Sequence, residues 1–288
     1  MKVKIITLYS GEKEYKRSIE SVDIQKTDFL VDKMFIENKE NLEAHNLLYR
    51  AIMYESRDYN YFVKLDADMV LTKESSLAEI IGYAEDSCAD VFSIPVHDFM
   101  TDSMIWGLNI YKSGVQWELN TDKTFTDQQR LCKDYVVKKL ALKKEDSLVT
   151  HADGGDEYQA FVFGIHRATK ILQKDVDLFK VGHSYAQVDI IKKVLSSYLE
   201  SKNKARGVAI IGAYYLVSGI VDGSSLNRKS DYFESFELIN YEKDIYDSVV
   251  FFSRSNFGII LKSVGFIKMI FGIFAYFKTR LNSIRKRF

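Results

Sequence analysis

The stretch that decides the fold is residues 59–71, YNYFVKLDADMVL. An apolar run rich in β-forming residues ends on two aspartates, Asp66 and Asp68, which are one residue apart. This composition predicts a buried strand. Ligands of open α/β sheets bind in the crevice outside the carboxyl ends of the strands. We therefore expect both carboxylates to face a ligand at that edge of a sheet.

Strand and helix patterns alternate around this stretch. The predicted strands are 2–9, 29–36, 59–65 and 90–96, and the predicted helices between them are 14–22, 42–54 and 74–84. This alternation indicates an α/β fold with a mostly parallel sheet and flanking helices. Farther along we expect a hairpin from 106–111 and 115–119, a helix within 131–145, and helices over 189–200 and 205–217.

The two aspartates suggest a metal site. Two hard oxygen donors at this spacing suit Mg²⁺ or Mn²⁺, which bridges phosphates and keeps coordination positions open for them. A D-x-D sequence also occurs in solvated acidic turns, but its place directly after a buried strand makes it more specific. The chain has neither a P-loop nor a G-x-G-x-x-G sequence. A metal on Asp68 is therefore the available means of holding a diphosphate.

At these residues the sequence resembles glycosyltransferases of the GT-A fold, in the family 2-like group of bacterial surface-polysaccharide enzymes. The likeness runs in order through IITLYSG (5–11), SIESVDIQ (18–25), EAHNLLYRAI (43–52) and YFVKLDADMVL (61–71), and continues more weakly over 151–170. It implies a Rossmann-like domain over 1–247 that binds a nucleotide-diphosphate sugar. The donor-binding half would span about 1–100 and the acceptor-side half about 101–247.

The resemblance also implies roles for individual residues. Asp68 would bind the metal on the donor diphosphate, and Asp66 would contact the ribose, or the metal through water. Glu37 would face the base, at a position where many relatives have Asp. The other positions expected to line the nucleotide site are Thr7, Tyr9, His45 and Asn46.

The polar cluster THADGGDE (150–157) offers further candidates. A neutral imidazole from His151 can complete the metal shell, and a solvent-exposed loop is the alternative. An inverting enzyme needs a carboxylate to deprotonate the acceptor hydroxyl. The candidates are Asp156, which we favour, with Asp153 and Glu157. A retaining enzyme would not need this base, and the sequence leaves the stereochemistry open.

Three more residues have two interpretations each. Asp98 follows a predicted strand and can contact an acceptor or belong to a loop. Trp106 and Trp117 can stack on sugar rings or belong to the core, which is the commoner role of tryptophan.

The net charge of zero conceals an asymmetry. Eight of the 40 basic residues follow Asp247, the last acidic residue, which leaves 32 basic and 40 acidic side chains in residues 1–247. The acidic body argues against a nucleic-acid-binding protein. The apolar run 257–277 is long enough to span a bilayer, but it contains Lys262 and Lys268, which are costly inside a membrane.

We therefore expect 248–288 to form a basic amphipathic tail whose residues 257–288 lie on an anionic inner leaflet. A core-packed C-terminal helix or an oligomer contact is the alternative. The apolar run at the N-terminus is too short for a signal peptide. We expect a peripheral, monotopic protein on the cytoplasmic face of the cell membrane.

Together these observations predict a glycosyltransferase that depends on Mn²⁺ or Mg²⁺ and transfers a sugar to a lipid-linked or polysaccharide acceptor. A sugar nucleotidyltransferase is one alternative, although such enzymes usually have a Gly-rich loop after the first strand and LYSGEKEYKRS (8–18) has one glycine. A non-catalytic membrane-associated scaffold of the same fold is the other alternative.

Overall fold

The structure is a computed structural model that describes residues 1–122, 125–127, 129–153, 156–172, 182–222 and 232–285. The chain divides into two compact units. The first comprises 1–122 and 126–155, and the second comprises 123–125 and 156–288. By this division the expected tail, 248–288, forms part of the second unit.

The first unit is built from strands and three helices. The strands are β1 (Lys2–Tyr9), β2 (Leu30–Glu37), β3 (Tyr61–Asp66), β4 (Met69–Leu71), β5 (Val91–Asp98), β6 (Ser103–Lys112), β7 (Val137–Lys139) and β8 (Val149–His151). The helices are α1 (Tyr15–Asp23), α2 (Asn41–Tyr54) and α3 (Ser76–Ser87), with a short 3₁₀ turn at Lys144–Asp146.

The strands form one sheet in the order β2-β1-β3-β6-β5-β8-β4, with β7 also paired to β5. Strands β6 and β4 run antiparallel to their neighbours, and the other strands of the sheet are mutually parallel. The α/β class with a mostly parallel sheet and flanking helices is therefore confirmed.

The two faces of the sheet carry different cores because successive side chains of a strand point to opposite faces. On one face Ile5 and Val63 pack with Ile80 of α3. On the other face Ile6 and Phe62 pack with residues of α2, namely Leu48, Tyr49 and Ile52. The sheet is thus buried on both faces in its parallel half, as parallel sheets usually are.

Two predictions between 99 and 150 are wrong. The first arm of the expected hairpin, 106–111, lies in the strand β6, which pairs with β5 and β3. The second arm, 115–119, does not pair with it, and Trp117 makes only an isolated bridge to Leu131. The expected helix within 131–145 contains β7 and the 3₁₀ turn. Its apolar and charged residues have helical spacing, but the Val136-Val137 pair favours an extended edge strand.

The second unit is helical. Its helices are α4 (Glu157–Leu172), α5 (Gly182–Ser201), α6 (Lys204–Val217), α7 (Phe233–Glu237), α8 (Tyr241–Phe252), α9 (Asn256–Val264) and α10 (Phe266–Arg285). The predicted helices 189–200 and 205–217 are confirmed as parts of α5 and α6. Helices α4 and α6 approach closely, because a Cβ added to Gly164 would lie 1.9 Å from the carbonyl oxygen of Ala209.

The expected tail forms the end of α8 and two further helices. Gly265, at φ +84°, separates α9 from α10, and both helices contact α5. Ile259, Ile260 and Met269 are buried against this unit. Among the described residues, none of the helices combines the length and the apolar character that crossing a membrane requires.

Candidate active site at the carboxyl edge of the sheet

Asp68 and His151 meet although more than 80 residues separate them in sequence. The antiparallel pairing of β4 with β8 aligns Met69 with His151, and the Ala152 N–H donates to the Asp68 carbonyl (2.9 Å). His151 Nε2 lies 3.4 Å from Asp68 Oδ2. This sheet pairing therefore brings together two of the three predicted metal ligands.

Asp98, at the end of β5, holds His151 from the other side. His151 Nδ1 and Asp98 Oδ1 are 2.7 Å apart. Asp98 is 1% exposed and also accepts hydrogen bonds from Thr101 N (2.8 Å) and Thr101 Oγ1 (2.6 Å). Burial favours a higher pKa for Asp98, but its bonds with His151 and Thr101 outweigh burial and lower the pKa.

The same contacts act on the imidazole of His151. Burial favours a lower pKa for His151, yet Asp68 and Asp98 together raise the pKa well above its ordinary value. The two carboxylates also fix the ring orientation. With Asp98 on Nδ1, the Nε2 atom is the ring nitrogen that faces Asp68.

The carboxylate and imidazole groups at this edge are of the kind that bind divalent cations. Asp68 and His151 are close enough to share one ion that displaces the Nε2 proton of His151, and Asp98 supplies the outer carboxylate that usually orients a metal-binding histidine. No group of three or more His, Cys, Asp or Glu side chains in the described part of the chain can hold a metal by itself. Asp68 and His151 thus offer two ligands to a cation such as Mg²⁺ or Mn²⁺, and its binding here stays a prediction.

Asp66 has a different partner. Its Oδ2 accepts a hydrogen bond from Lys64 Nζ at 2.9 Å, within the same strand. The Asp66 side chain is partly exposed and that of Lys64 is buried. The two aspartates of the motif thus each contact a basic side chain, Lys64 or His151.

The ends of β1 and β2 form an aromatic and acidic group. Tyr9 stacks on Tyr15 of α1 with 4.0 Å between ring centroids, and the edge of Phe35 lies near Tyr15. Tyr9 is aligned with Glu37 across the two strands, and Tyr15 Oη donates to Glu37 Oε1 at 2.8 Å. Burial and the bond to Glu37 raise the pKa of Tyr15 to about 12.

The other expected nucleotide contacts lie deeper. Thr7 and His45 are buried, and His45 Nδ1 donates to the Asn41 carbonyl at 2.8 Å. Asn46 forms two bonds with the backbone of Asn120, at 3.0 Å each. These contacts stabilise the fold. Contact of Thr7, His45 and Asn46 with a nucleotide-sugar donor stays a prediction.

The three candidate bases all have partners. Arg17 Nη1 donates to the Asp153 carbonyl (3.0 Å), and Arg17 Nη2 pairs with its carboxylate (3.2 Å). In the helical unit, Asp156 Oδ1 accepts from the Gln159 N–H (2.6 Å) and so caps the start of α4. Glu157 pairs with Lys204 at 2.9 Å. Their roles in catalysis stay predictions.

The two tryptophans differ sharply. Trp117 is buried, stacked on Tyr49 with 4.9 Å between centroids, and it belongs to the core. Trp106 is 52% exposed on β6, and Lys139 Nζ lies 4.9 Å from its ring centroid. Of the two, only Trp106 is accessible to a sugar.

Sequence reasoning missed three residues of this site. Asp98 was expected to contact an acceptor or lie in a loop, but it orients His151. Lys64 and Tyr15 were not singled out. The signal for Lys64 was present, because a lysine inside an apolar strand is rarely buried without a paired charge.

No protein-family model matches the sequence, and a comparison with curated proteins found no match. Among solved structures, a crystal structure of S. aureus TarS matches 88% of this chain and 55% of its own, at 12% identity and TM-score 0.32. This chain thus spans about half the length of that TarS chain.

Two further matches have similar scores. TarS 1–349 in complex with UDP-GlcNAc matches 88% of this chain and 90% of its own, at 12% identity and TM-score 0.31. A197 from STIV matches 49% of this chain and 82% of its own, at 10% identity and TM-score 0.33. At scores of this size the fold assignment rests on the sheet topology described above.

Proposed function

We propose that this protein is a metal-dependent glycosyltransferase that uses a nucleotide-diphosphate sugar. The observation that carries the proposal is the arrangement of Asp68, His151 and Asp98 at the carboxyl edge of the sheet. The aromatic and acidic group at the ends of β1 and β2 lies at the same edge and supports a base-binding role.

Different residues would bind different parts of the nucleotide-sugar donor. Tyr9 and Tyr15 offer aromatic surface to a base, and Glu37 offers a carboxylate that accepts hydrogen bonds from it. Asp68 and His151 would hold Mn²⁺ or Mg²⁺ on the diphosphate. When bound, such a cation neutralises the charge that develops on the departing nucleoside diphosphate.

The acceptor side is proposed from chemistry alone. A carboxylate among Asp153, Asp156 and Glu157 takes the proton of the attacking hydroxyl if the enzyme inverts. Trp106 offers a flat apolar face to the acceptor sugar. The acceptor class is a lipid-linked or surface glycan.

A binding screen tests this function. Melting temperature is measured with UDP-, GDP-, CMP- and dTDP-sugars, each with Mn²⁺ or Mg²⁺, because a ligand of the native state raises it. UDP-GlcNAc, which TarS 1–349 binds in its complex, is among the donors. We expect one donor class to stabilise the protein only with metal present.

The matched variants are Asp68→Asn and Asp102→Asn. Asp102 pairs with His97 and Lys144 outside the proposed donor contacts. We expect Asp68→Asn to abolish metal-dependent stabilisation and sugar transfer, and Asp102→Asn to retain both. Transfer by Asp68→Asn at the wild-type rate would refute the metal site. Pyrophosphate release from a nucleoside triphosphate and a sugar phosphate would favour a nucleotidyltransferase, and absence of nucleotide binding would favour a scaffold.

We further propose that α10 lies on the anionic cytoplasmic leaflet. Phe266, Ile267, Phe271 and Phe274 are between 48% and 70% exposed, whereas Met269 and Gly272 face the protein. Basic residues follow this apolar surface in the sequence, and Lys286 and Arg287 among them lie outside the described residues. Exposed aromatic side chains beside cations suit an anionic membrane surface.

Vesicle flotation tests the membrane contact. The chain with Phe271→Glu and Phe274→Glu is compared with Leu238→Glu, since Leu238 is 80% exposed in the same unit but outside α10. We expect wild type and Leu238→Glu to float with phosphatidylglycerol-containing vesicles and the double variant to stay behind. Equal flotation of all three would contradict the role of α10.

A further inference from the structure

Lys64 is an unusual residue in β3. It is 7% exposed, although a lysine is almost never fully buried unless it is paired. Its Nζ donates to Asp66 Oδ2 at 2.9 Å, two residues along the same face of the strand. Burial favours a lower pKa for Lys64, but Asp66 outweighs burial and keeps the pKa above its ordinary value.

The Lys64 side chain lies on the sheet face that α2 covers, because it alternates with Val63 and shares the face of Phe62. Its backbone is aligned with Ile6 of β1 and Asn109 of β6. Burial, and after it the positive charge of Lys64, lowers the pKa of His45 on α2. Asp66 is the side chain that receives the hydrogen bond of this ammonium group.

Asp66, in contrast, reaches the surface. Its side chain is 30% exposed, and the bond from Lys64 engages Oδ2. Among the described residues no hydrogen bond engages the other carboxylate oxygen, Oδ1, which leaves it to a ligand at the carboxyl edge. A carboxylate anchored through one oxygen has fewer rotamers to lose when a ligand binds the other, so anchoring favours binding.

We infer that Lys64 is a positioning residue that orients the Asp66 carboxylate toward the nucleotide-diphosphate donor. The inference rests on the proposed function for the identity of the ligand. Lys64 also offsets the charge of Asp66 beside Asp68, which reduces the repulsion that two neighbouring carboxylates exert on an incoming diphosphate.

A double-mutant cycle separates this role from simple stabilisation. Calorimetry measures the binding of UDP and of GDP, each with Mn²⁺, to wild type, Lys64→Met, Asp66→Asn and the double variant. We expect each single variant to weaken binding of the preferred nucleotide at least 10-fold. The double variant should bind no more weakly than the weaker single variant, because Lys64 acts through Asp66.

The matched control is Lys4→Met. Lys4 is a largely buried lysine on the adjacent strand β1, and it is ion-paired with Glu55, toward the other end of the sheet. We expect Lys4→Met to lower the melting temperature but to bind nucleotide within 2-fold of wild type. If Lys64→Met does not fold, Lys64→Leu replaces it, since this shorter apolar side chain also removes the hydrogen-bond donor for Asp66.

Two results would overturn the inference. One is wild-type nucleotide affinity in a folded Lys64 variant, and the other is full additivity in the cycle. If wild type binds no nucleotide with Mn²⁺, the proposed function fails by itself. Crystal structures of wild type and the Lys64 variant then decide the positioning role, because an unchanged Asp66 carboxylate would refute it.

Discussion

At the scale of single residues, the site depends on side chains that orient other side chains. Asp98 contacts His151 through one oxygen and Thr101 through the other. Lys64 likewise contacts another site residue, because its Nζ donates a hydrogen bond to Asp66 Oδ2. In metal sites, mutation of outer partners of this kind typically costs about 10- to 100-fold in metal affinity or activity.

Replacing Asp98 by Asn should therefore reduce metal-dependent nucleotide binding roughly 10- to 100-fold. The amide cannot serve as the charged acceptor that fixes the imidazole. Calorimetry with UDP and Mn²⁺ measures the effect, and Asp102→Asn, which alters the neighbouring His97 pair, is the control. Equal losses in both variants would mean that the turn between β5 and β6 was disturbed and that His151 was not specifically affected.

The residue scale also shows what a sequence can and cannot reveal. Asp66 and Asp68 were recognisable because a strand pattern precedes them directly. The pairing of Asp68 with His151 depends on β4 and β8, two three-residue strands far apart in sequence. Strands this short carry no periodic pattern, so only the placement of the whole sheet defines them.

At the scale of elements, long and locally consistent segments were predictable. Strand β1 has the predicted bounds, and β2, β3 and α2 differ from them by one or two residues. The predictions for segments 106–119 and 131–145 were wrong because the patterns of these segments fit more than one structure. Strand pairing determined the structure of both segments, since β5 pairs with β6 along one edge and with β7 along the other.

The contact of α4 with α6 gives a prediction at this scale. A Cβ on Gly164 would lie 1.9 Å from the Ala209 carbonyl oxygen, and a Cβ on Gly212 would lie 2.2 Å from that of Phe161. Alanine at Gly164 must push the two backbones apart. We expect Gly164→Ala to lower the free energy of unfolding by about 3 kcal/mol, as measured by urea denaturation.

Gly82 in α3 provides the control, because a Cβ there meets no atom within 4 Å. Gly82→Ala should raise the free energy of unfolding by about 0.5–1 kcal/mol, since glycine is entropically costly inside a helix. A Gly164→Ala protein as stable as wild type would show that the two helices are less closely packed than described.

At the scale of the whole molecule, the acidic and basic residues are unevenly distributed along the chain. Residues 1–247 carry eight more acidic than basic side chains, and the eight basic residues after Asp247 bring the net charge to zero. The sum therefore conceals two separate proposed contacts, one with a metal-bound donor and one with an anionic membrane.

Metal and nucleotide should bind cooperatively. Asp68 and His151 offer two metal ligands, so under the proposed function phosphate oxygens of the diphosphate would join the coordination shell. We expect Mn²⁺ to bind at least 10-fold more tightly in the presence of saturating UDP than in its absence. By linkage, UDP should gain the same factor from Mn²⁺. Tight Mn²⁺ binding without nucleotide, measured by calorimetry, would contradict this prediction.

The alignment of Met69 with His151 has a consequence for folding. The chain must close a loop of about 80 residues before Asp68 meets His151, and contacts of such long range form slowly. Loop-closure entropy grows only logarithmically, so doubling this loop costs about 0.6 kcal/mol. We therefore expect long insertions in the turns between β4 and β8 to cost little stability, and the contact of Asp68 with His151 to form only after the intervening strands β5 and β6 have paired.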